Sequence, residues 1–463
     1  LRSTCAVIAT MMGNFASVVN ELKRPVDASD ITSMEDAVAE VKRLRQLVRD
    51  NAMPRSVAIC GGGNAAHCLA GLLTSNPRVS EVNILDTWEP EYVRFKDTLE
   101  ANDYNFCVKF GLGMPTRQGK INKISMDPAA VIPGMDMIIV STPAFTHEMY
   151  LKAIKPYIKD GAIVMILVAQ GGSDWCLRSC LGEELCSKIT FCTCENLPWS
   201  CRVDEFGKAG IILNTKASTK VAALPSEATD FACNLLNTLI ATEQPEEDGK
   251  IPIHPVFEPM ANVLSCTLMN LNSLIHTSLS YGRFCDWTES KVYPEPPLLY
   301  LGVEERGASA VAGVSADLCN IRDAILARYP DMDLSRVMSV YDFYIACYAD
   351  NIKDHTDIST VLKTNRGYET LKIPMKEVEG GYIPDFGMRY YTEDIPYGLL
   401  VTRGVAEILG VDTPMMDTII TWAQEKMGKE YLVDGKVAGK DVVTTRTPQK
   451  YGLTTPDDLV QWP

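Results

Sequence analysis

The stretch Ser56–His67, SVAICGGGNAAH, constrains the fold of this chain more than any other. Val57–Cys60 is a short apolar run that predicts a buried strand. Gly61-x-Gly63-x-x-Ala66 follows at once, and AAHCLAGLL then predicts a helix. Each small residue has a mechanical task. Gly61 permits a tight turn out of the strand, Gly63 lets a phosphate group approach the backbone, and Ala66 lets helix and strand pack closely. The helix N-terminus adds free N–H groups and the positive end of its dipole. Gly61, Gly63, Asn64 and Ala66 are therefore candidate contacts for the pyrophosphate of a dinucleotide. A glycine motif alone is weak evidence; this one stands in the strand–turn–helix setting that the function needs.

A second predicted strand, Val82–Leu85, ends in Asp86, 23 residues after Gly63. A dinucleotide fold places there the carboxylate that accepts hydrogen bonds from the adenosine ribose. A carboxylate at that point repels a 2′-phosphate, so the expected cofactor is NADH rather than NADPH. The bland alternative is a turn rich in glycine with Asp86 as a surface residue.

With 463 residues the chain is long for one core, and two domains are expected. A formal net charge of −15 argues against nucleic acid and anionic membrane as partners. The longest apolar runs, such as Ala162–Ala169, are too short to span a bilayer and predict central strands of a parallel sheet. The 15 cysteines show neither a disulfide pattern nor a zinc pattern, and no metal site is expected. Several sit within apolar runs, as reduced thiols do, which favours the cytoplasm. The histidines are only His67, His147, His254, His276 and His355, a short list of proton-transfer candidates.

Residues 1–54 precede the glycine motif and are expected to be an extension, with an amphipathic helix opened by Ser33-x-x-Asp36. The first residue is Leu1, which suggests a fragment or a processed form, and a targeting role for the extension stays open. From 55 to 262 strands and helices alternate, predicting a doubly wound sheet. Its further strands are Met135–Ser141, Ala162–Ala169 and Ile189–Cys194, with Arg202–Thr215 as two short strands extending the sheet. Thr142, Gln170 and Glu195 stand at carboxyl ends of strands, where ligands bind. Beyond Ile251–Pro259 helical periodicity takes over, predicting a separate helical domain over 263–463. Its expected helices are Met260–Ser280, Ala308–Arg328, Leu334–Asp350, Tyr397–Gly410 and Met415–Met427.

From Glu195–Arg202 (ENLPWSCR) onward the sequence resembles the opine dehydrogenases, the octopine/nopaline dehydrogenase family. GGGNAAH resembles that family's GGGNGAH loop, with Ala65 in place of a glycine. Pro143–Phe145, Tyr281–Arg283 with Trp287, Pro294–Pro297, Arg389–Gly398 (RYYTEDIPYG) and the long segment Trp422–Gly452 resemble it too. The resemblance covers about residues 55–453. It implies a Rossmann-type dinucleotide-binding domain followed by an all-helical domain, α/β in class, with substrates in the cleft between. It also implies NADH-dependent reductive condensation of a 2-keto acid, usually pyruvate, with the amino group of an amino acid.

By the same resemblance His276 is the catalytic histidine, Asp394 its carboxylate partner, and Arg389 a contact to the cofactor phosphates. The family's proline after the histidine is Thr277 here, which puts the local helix geometry in question. Glu195 and Cys201 match positions lining the amino-acid pocket, where an acid could receive a guanidinium or ammonium group. Asn270 and Asn272, just ahead of His276, are grouped with them. Asn270 replaces an apolar residue of octopine-forming relatives, so the amino partner stays open; the sequence leaves the oligomeric state open as well. His67, in the first turn of the cofactor helix, reads as structural or as placed near the pyrophosphate rather than catalytic, and the remaining histidines receive no role. The competing readings are a two-domain reductase of a 2-keto or hydroxy acid that needs no amine, and a non-catalytic NAD-binding sensor.

Overall fold

The computed structural model describes residues 53–111, 114–168, 170–243 and 253–460. The expected N-terminal helix lies outside them. An eight-stranded sheet runs in the order Val256–Pro259, Ser218–Leu224, Thr190–Cys194, Ile163–Ile166, Met137–Val140, Ser56–Cys60, Glu81–Leu85, Lys123–Ser125. The last six are parallel, while Ser218–Leu224 pairs antiparallel to Thr190–Cys194 and parallel to Val256–Pro259. Helices and loops cover both faces. That is why Val57–Cys60 reads as an unbroken apolar run: Val57 and Ile59 pack into one core, Ala58 and Cys60 into the other.

The expected extension of this sheet by Arg202–Thr215 is corrected. Trp199–Glu205 and Ala209–Thr215 form a hairpin in a second, four-stranded sheet with Asn105–Phe110 and Arg117–Lys120. This sheet lies across the helix Asn64–Thr74. A Cβ at Gly71 would come 2.6 Å from that of Val108, so only glycine allows the sheet so close. His67 helps to hold the layers. It is fully buried and stacked on Phe95, its Nδ1–H donates to the Gly63 carbonyl (3.1 Å), and its Nε2 accepts from the Gly207 N–H (2.9 Å). Burial pushes this imidazole down to about 4, so it is neutral and structural.

After Pro259 helices dominate: Val263–Leu268, Leu271–Phe284, Glu305–Arg328, Val340–Tyr348, Leu400–Leu409 and Pro414–Met427 among them. The part is not all-helical, since hairpins stand at Met375–Val378 with Gly381–Pro384 and at Leu432–Val433 with Lys436–Val437. Its apolar side chains form their own core around Val311, Val314, Leu318 and Ile419. The single helix expected over Met260–Ser280 is broken at Asn270, whose side chain is drawn across to Gln170 (2.5 Å) at the end of the sheet. Thr277 leaves the helix intact: its hydroxyl donates back to the Ser273 carbonyl, as helical threonines do.

Candidate active site

At the carboxyl ends of the central strands the chain forms a cradle. Gly61 holds φ +105°, and a Cβ there would sit 2.5 Å from Thr142 Cγ2. Around Gly63, in contrast, nothing lies within 4 Å of where a Cβ would be, so that backbone is open to a ligand. Gly63 caps the helix without a side-chain bond, leaving the first-turn N–H groups available. Asn64 is turned away, its Oδ1 accepting from the Val203 N–H (2.8 Å), and Ala66 is fully buried.

Asp86 is 1% exposed and points into this cradle. Its Oδ1 accepts from the Trp88 N–H (3.2 Å), while Oδ2 has no hydrogen-bond partner. Burial pushes the carboxyl up to about 6, with the Trp88 bond opposing and the Glu91 charge adding. An orphaned buried oxygen beside an open glycine backbone fits a ribose diol and a pyrophosphate. A nicotinamide dinucleotide thus suits the residues present.

The helical part supplies the titratable pair. His276 Nδ1 stands 2.9 Å from Asp394 Oδ2, and both side chains are largely buried, at 13% and 7% exposure. The carboxylate accepts the Nδ1 proton, which leaves Nε2 as the ring's unprotonated nitrogen. Asp394 reaches His276 because the chain from Asp394 to Leu400 winds as a wide π-type turn, with the Leu399 N–H bonded to the Asp394 carbonyl (2.9 Å). Tyr390 covers one face of the imidazole, ring centroids 4.0 Å apart.

These segments rest directly on the sheet. The Gly171 N–H donates to the Tyr397 carbonyl (2.8 Å), and the Ala144 N–H to Glu393 Oε1 (3.1 Å). Arg389, at 71% side-chain exposure, is bonded to the same Glu393 carboxylate. Buried Arg446 reaches over from the C-terminal segment. It donates to His147 Nδ1 (2.7 Å) and to the carbonyls of Ala144 (3.1 Å), Gly171 (3.4 Å) and Gln170 (3.5 Å). His147 Nε2–H donates in turn to the Thr142 carbonyl (2.8 Å). Burial and the Arg446 charge push His147 down to about 3, so it is a neutral relay that fixes the Thr142 loop. Sequence reading missed His147, Arg446, Glu393 and Tyr390. Tyr390, Glu393 and Arg446 stand inside family-like segments, which hinted at them; His147 stands outside every such segment.

Two pocket assignments are corrected. Glu195 is not free to receive a substrate cation: Arg336 grips both its oxygens, Nε–Oε2 and Nη2–Oε1 each 3.1 Å, at 5% side-chain exposure of the acid. Cys201 faces inward on its strand, 2% exposed and with its thiol on Cys68, because alternation turns Ser200 and Arg202 outward instead. Asn270 is held by Gln170, and Asn272 is exposed one turn before His276.

Fold and site define a two-part dehydrogenase: a doubly wound dinucleotide-type sheet facing a helical unit with a His–Asp pair. Residues 259–427 match the family model of the NAD/NADP octopine/nopaline dehydrogenase α-helical domain. The chain is 38% identical to octopine dehydrogenase of Pecten maximus, over 88% of this chain and 99% of that one. It is 37% identical to tauropine dehydrogenase of Arabella iricolor, over 87% and 99% respectively. A solved octopine dehydrogenase structure with NADH and L-arginine superposes at a TM-score of 0.80, with 36% identity, over 88% of this chain and 97% of that one. The chain belongs to the octopine/nopaline dehydrogenase family.

Proposed function

We propose that this chain is an NADH-dependent opine dehydrogenase. It condenses the amino group of an amino acid with a 2-keto acid, pyruvate foremost, and reduces the resulting imine to a secondary amine. One water is released at condensation. NADH, when bound, supplies the hydride and leaves as NAD⁺. The observation that carries this reading is the His276–Asp394 pair, seated over the loops that flank the glycine cradle. His276 Nε2 takes a proton from the amino partner's ammonium and returns one as the carbonyl oxygen departs as water. Asp394 holds the imidazole tautomer and balances its charge when protonated. Gly61, Gly63 and the helix N-terminus cradle the pyrophosphate, with Ala66 buried behind them, Asp86 accepts from the ribose, and Thr142 closes the other side. Arg389 is the candidate for the phosphates' outer face, and Asn272 for the amino partner. Residues 55–262 would hold the cofactor and 263–463 the acid–base pair.

The test is direct: supply pyruvate and NADH, then add amino acids singly. NADH oxidation should appear only with an amine present. Oxidation that never depends on the amine would favour the reductase alternative. A cytoplasmic setting is supported by the described cysteines, which are free thiols and mostly buried. Among the described residues, no helix is long and apolar enough to cross a membrane.

Asp86 yields a pH-dependent prediction. Its ionised form would accept both ribose hydroxyls, and burial pushes its carboxyl up to about 6. NADH affinity should therefore hold above that pH and weaken as pH falls through it, as measured by NADH fluorescence. Asp86→Ala should remove this dependence and narrow the preference for NADH over NADPH. Equal catalytic efficiency with both cofactors in the unmutated enzyme would contradict the assignment.

The Glu195–Arg336 pair yields another. With Arg336 on the carboxylate and the partly buried Lys216 beside it, a substrate guanidinium meets positive charge. Arginine should be a poor amino partner, and Arg336→Gln should raise kcat/KM for arginine relative to alanine by about tenfold. An unmutated enzyme that prefers arginine would overturn this.

A further inference from the structure

We infer that Tyr390 is the positioning residue that makes His276 a directed proton donor and acceptor, resting on the acid–base reading of His276 given above. The Asp394 hydrogen bond selects which ring nitrogen carries the proton. It does not fix the plane of the ring, because an imidazole can rock about a single Nδ1–H···O axis. Tyr390 removes that freedom. Its ring lies against the imidazole with centroids 4.0 Å apart and planes 21° apart, a stacked contact that resists tilting on that side.

The grip comes from one short segment. Tyr390 and Asp394 are four residues apart, in the helical turn Arg389–Thr392 and at the start of the wide turn that follows. The Asp394 N–H is bonded to the Arg389 carbonyl (3.1 Å), so the two side chains are held in one backbone unit. That unit meets the helix Leu271–Phe284 at His276: the carboxylate takes the ring edge, the phenol ring takes its face. Nε2 is then the remaining edge atom, with a set direction. The stack also serves the charged state. An aromatic face attracts a cation, so the imidazolium formed during proton transfer gains from Tyr390 while the neutral ring gains less. None of this uses the phenol hydroxyl. The role belongs to the ring.

Phenylalanine should therefore replace Tyr390, and leucine should not. Tyr390→Phe is expected to keep kcat within about twofold, while Tyr390→Leu should lower kcat about tenfold or more. NADH affinity by fluorescence should stay within about twofold in both, since the cradle lies elsewhere. The diagnostic arm is a double-mutant cycle. On a His276→Gln background, Tyr390→Leu should cost almost nothing further, because its effect passes through the imidazole. Should Tyr390→Leu not fold, Tyr390→Met takes its place in the same cycle. Normal turnover in the leucine or methionine variant would overturn the inference. So would an equal loss in Tyr390→Phe, or a full extra loss on the His276→Gln background. If His276→Gln itself turned over normally, the acid–base reading would fall first, and the inference with it.

Discussion

Replacing His276 with glutamine is expected to lower kcat by about 10²- to 10⁴-fold, the usual contribution of a general acid–base group. Glutamine keeps a hydrogen-bonding side chain near Asp394 but cannot pick up and return a proton. NADH binding should hardly change, because the Gly61–Gly63 cradle and Asp86 belong to the other part of the molecule. Asp394→Asn should give a partial copy of the defect by leaving the wrong tautomer free to form. The two losses should combine less than multiplicatively, since the residues act as one unit. Near-normal turnover by His276→Gln would move the search for the proton-transfer group elsewhere in the crevice.

The second large effect is expected at Arg446, a cation 1% exposed whose hydrogen bonds run to three carbonyls and His147. Arg446→Ala would strip donors from all of these at once and leave a cavity. A cost of roughly 2–4 kcal/mol is expected, seen as a melting midpoint lower by a few degrees. Because Arg446 holds the Ala144 and Gly171 carbonyls, NADH affinity should fall as well. Arg446→Lys keeps the charge but not the fan of donors, and should lie between. An unchanged melting midpoint in Arg446→Ala would show that the C-terminal segment does not fasten the sheet loops.

What the sequence disclosed follows from how local each signal is. The glycine loop and Asp86 are short motifs whose neighbours in sequence are their neighbours in space. The helix from Leu271 carries His276 whether or not its distant partners are known. Glu195 failed because its partner, Arg336, is 141 residues away and nothing near either residue announces the pair. Arg446 and His147 are 299 residues apart, and nothing near either one announces the other. Cys201 was misplaced for a simpler reason: strand alternation buries it, and its family-like position says nothing about which way the thiol points. Arg202–Thr215 was read as a strand pair but given to the wrong sheet, since pairing order is set by contacts across the fold. Contacts that close the two parts on one another were the least legible.

In an opine dehydrogenase the hydride must end on a carbon bonded to the amino partner's nitrogen. Incubating the enzyme with pyruvate, an accepted amino acid and NADH deuterated at the transferred position tests it in one mass spectrum. A secondary amine joining both substrates, with deuterium on the former keto carbon, is the result expected. Deuterated lactate with the amino acid left unconsumed would contradict the account.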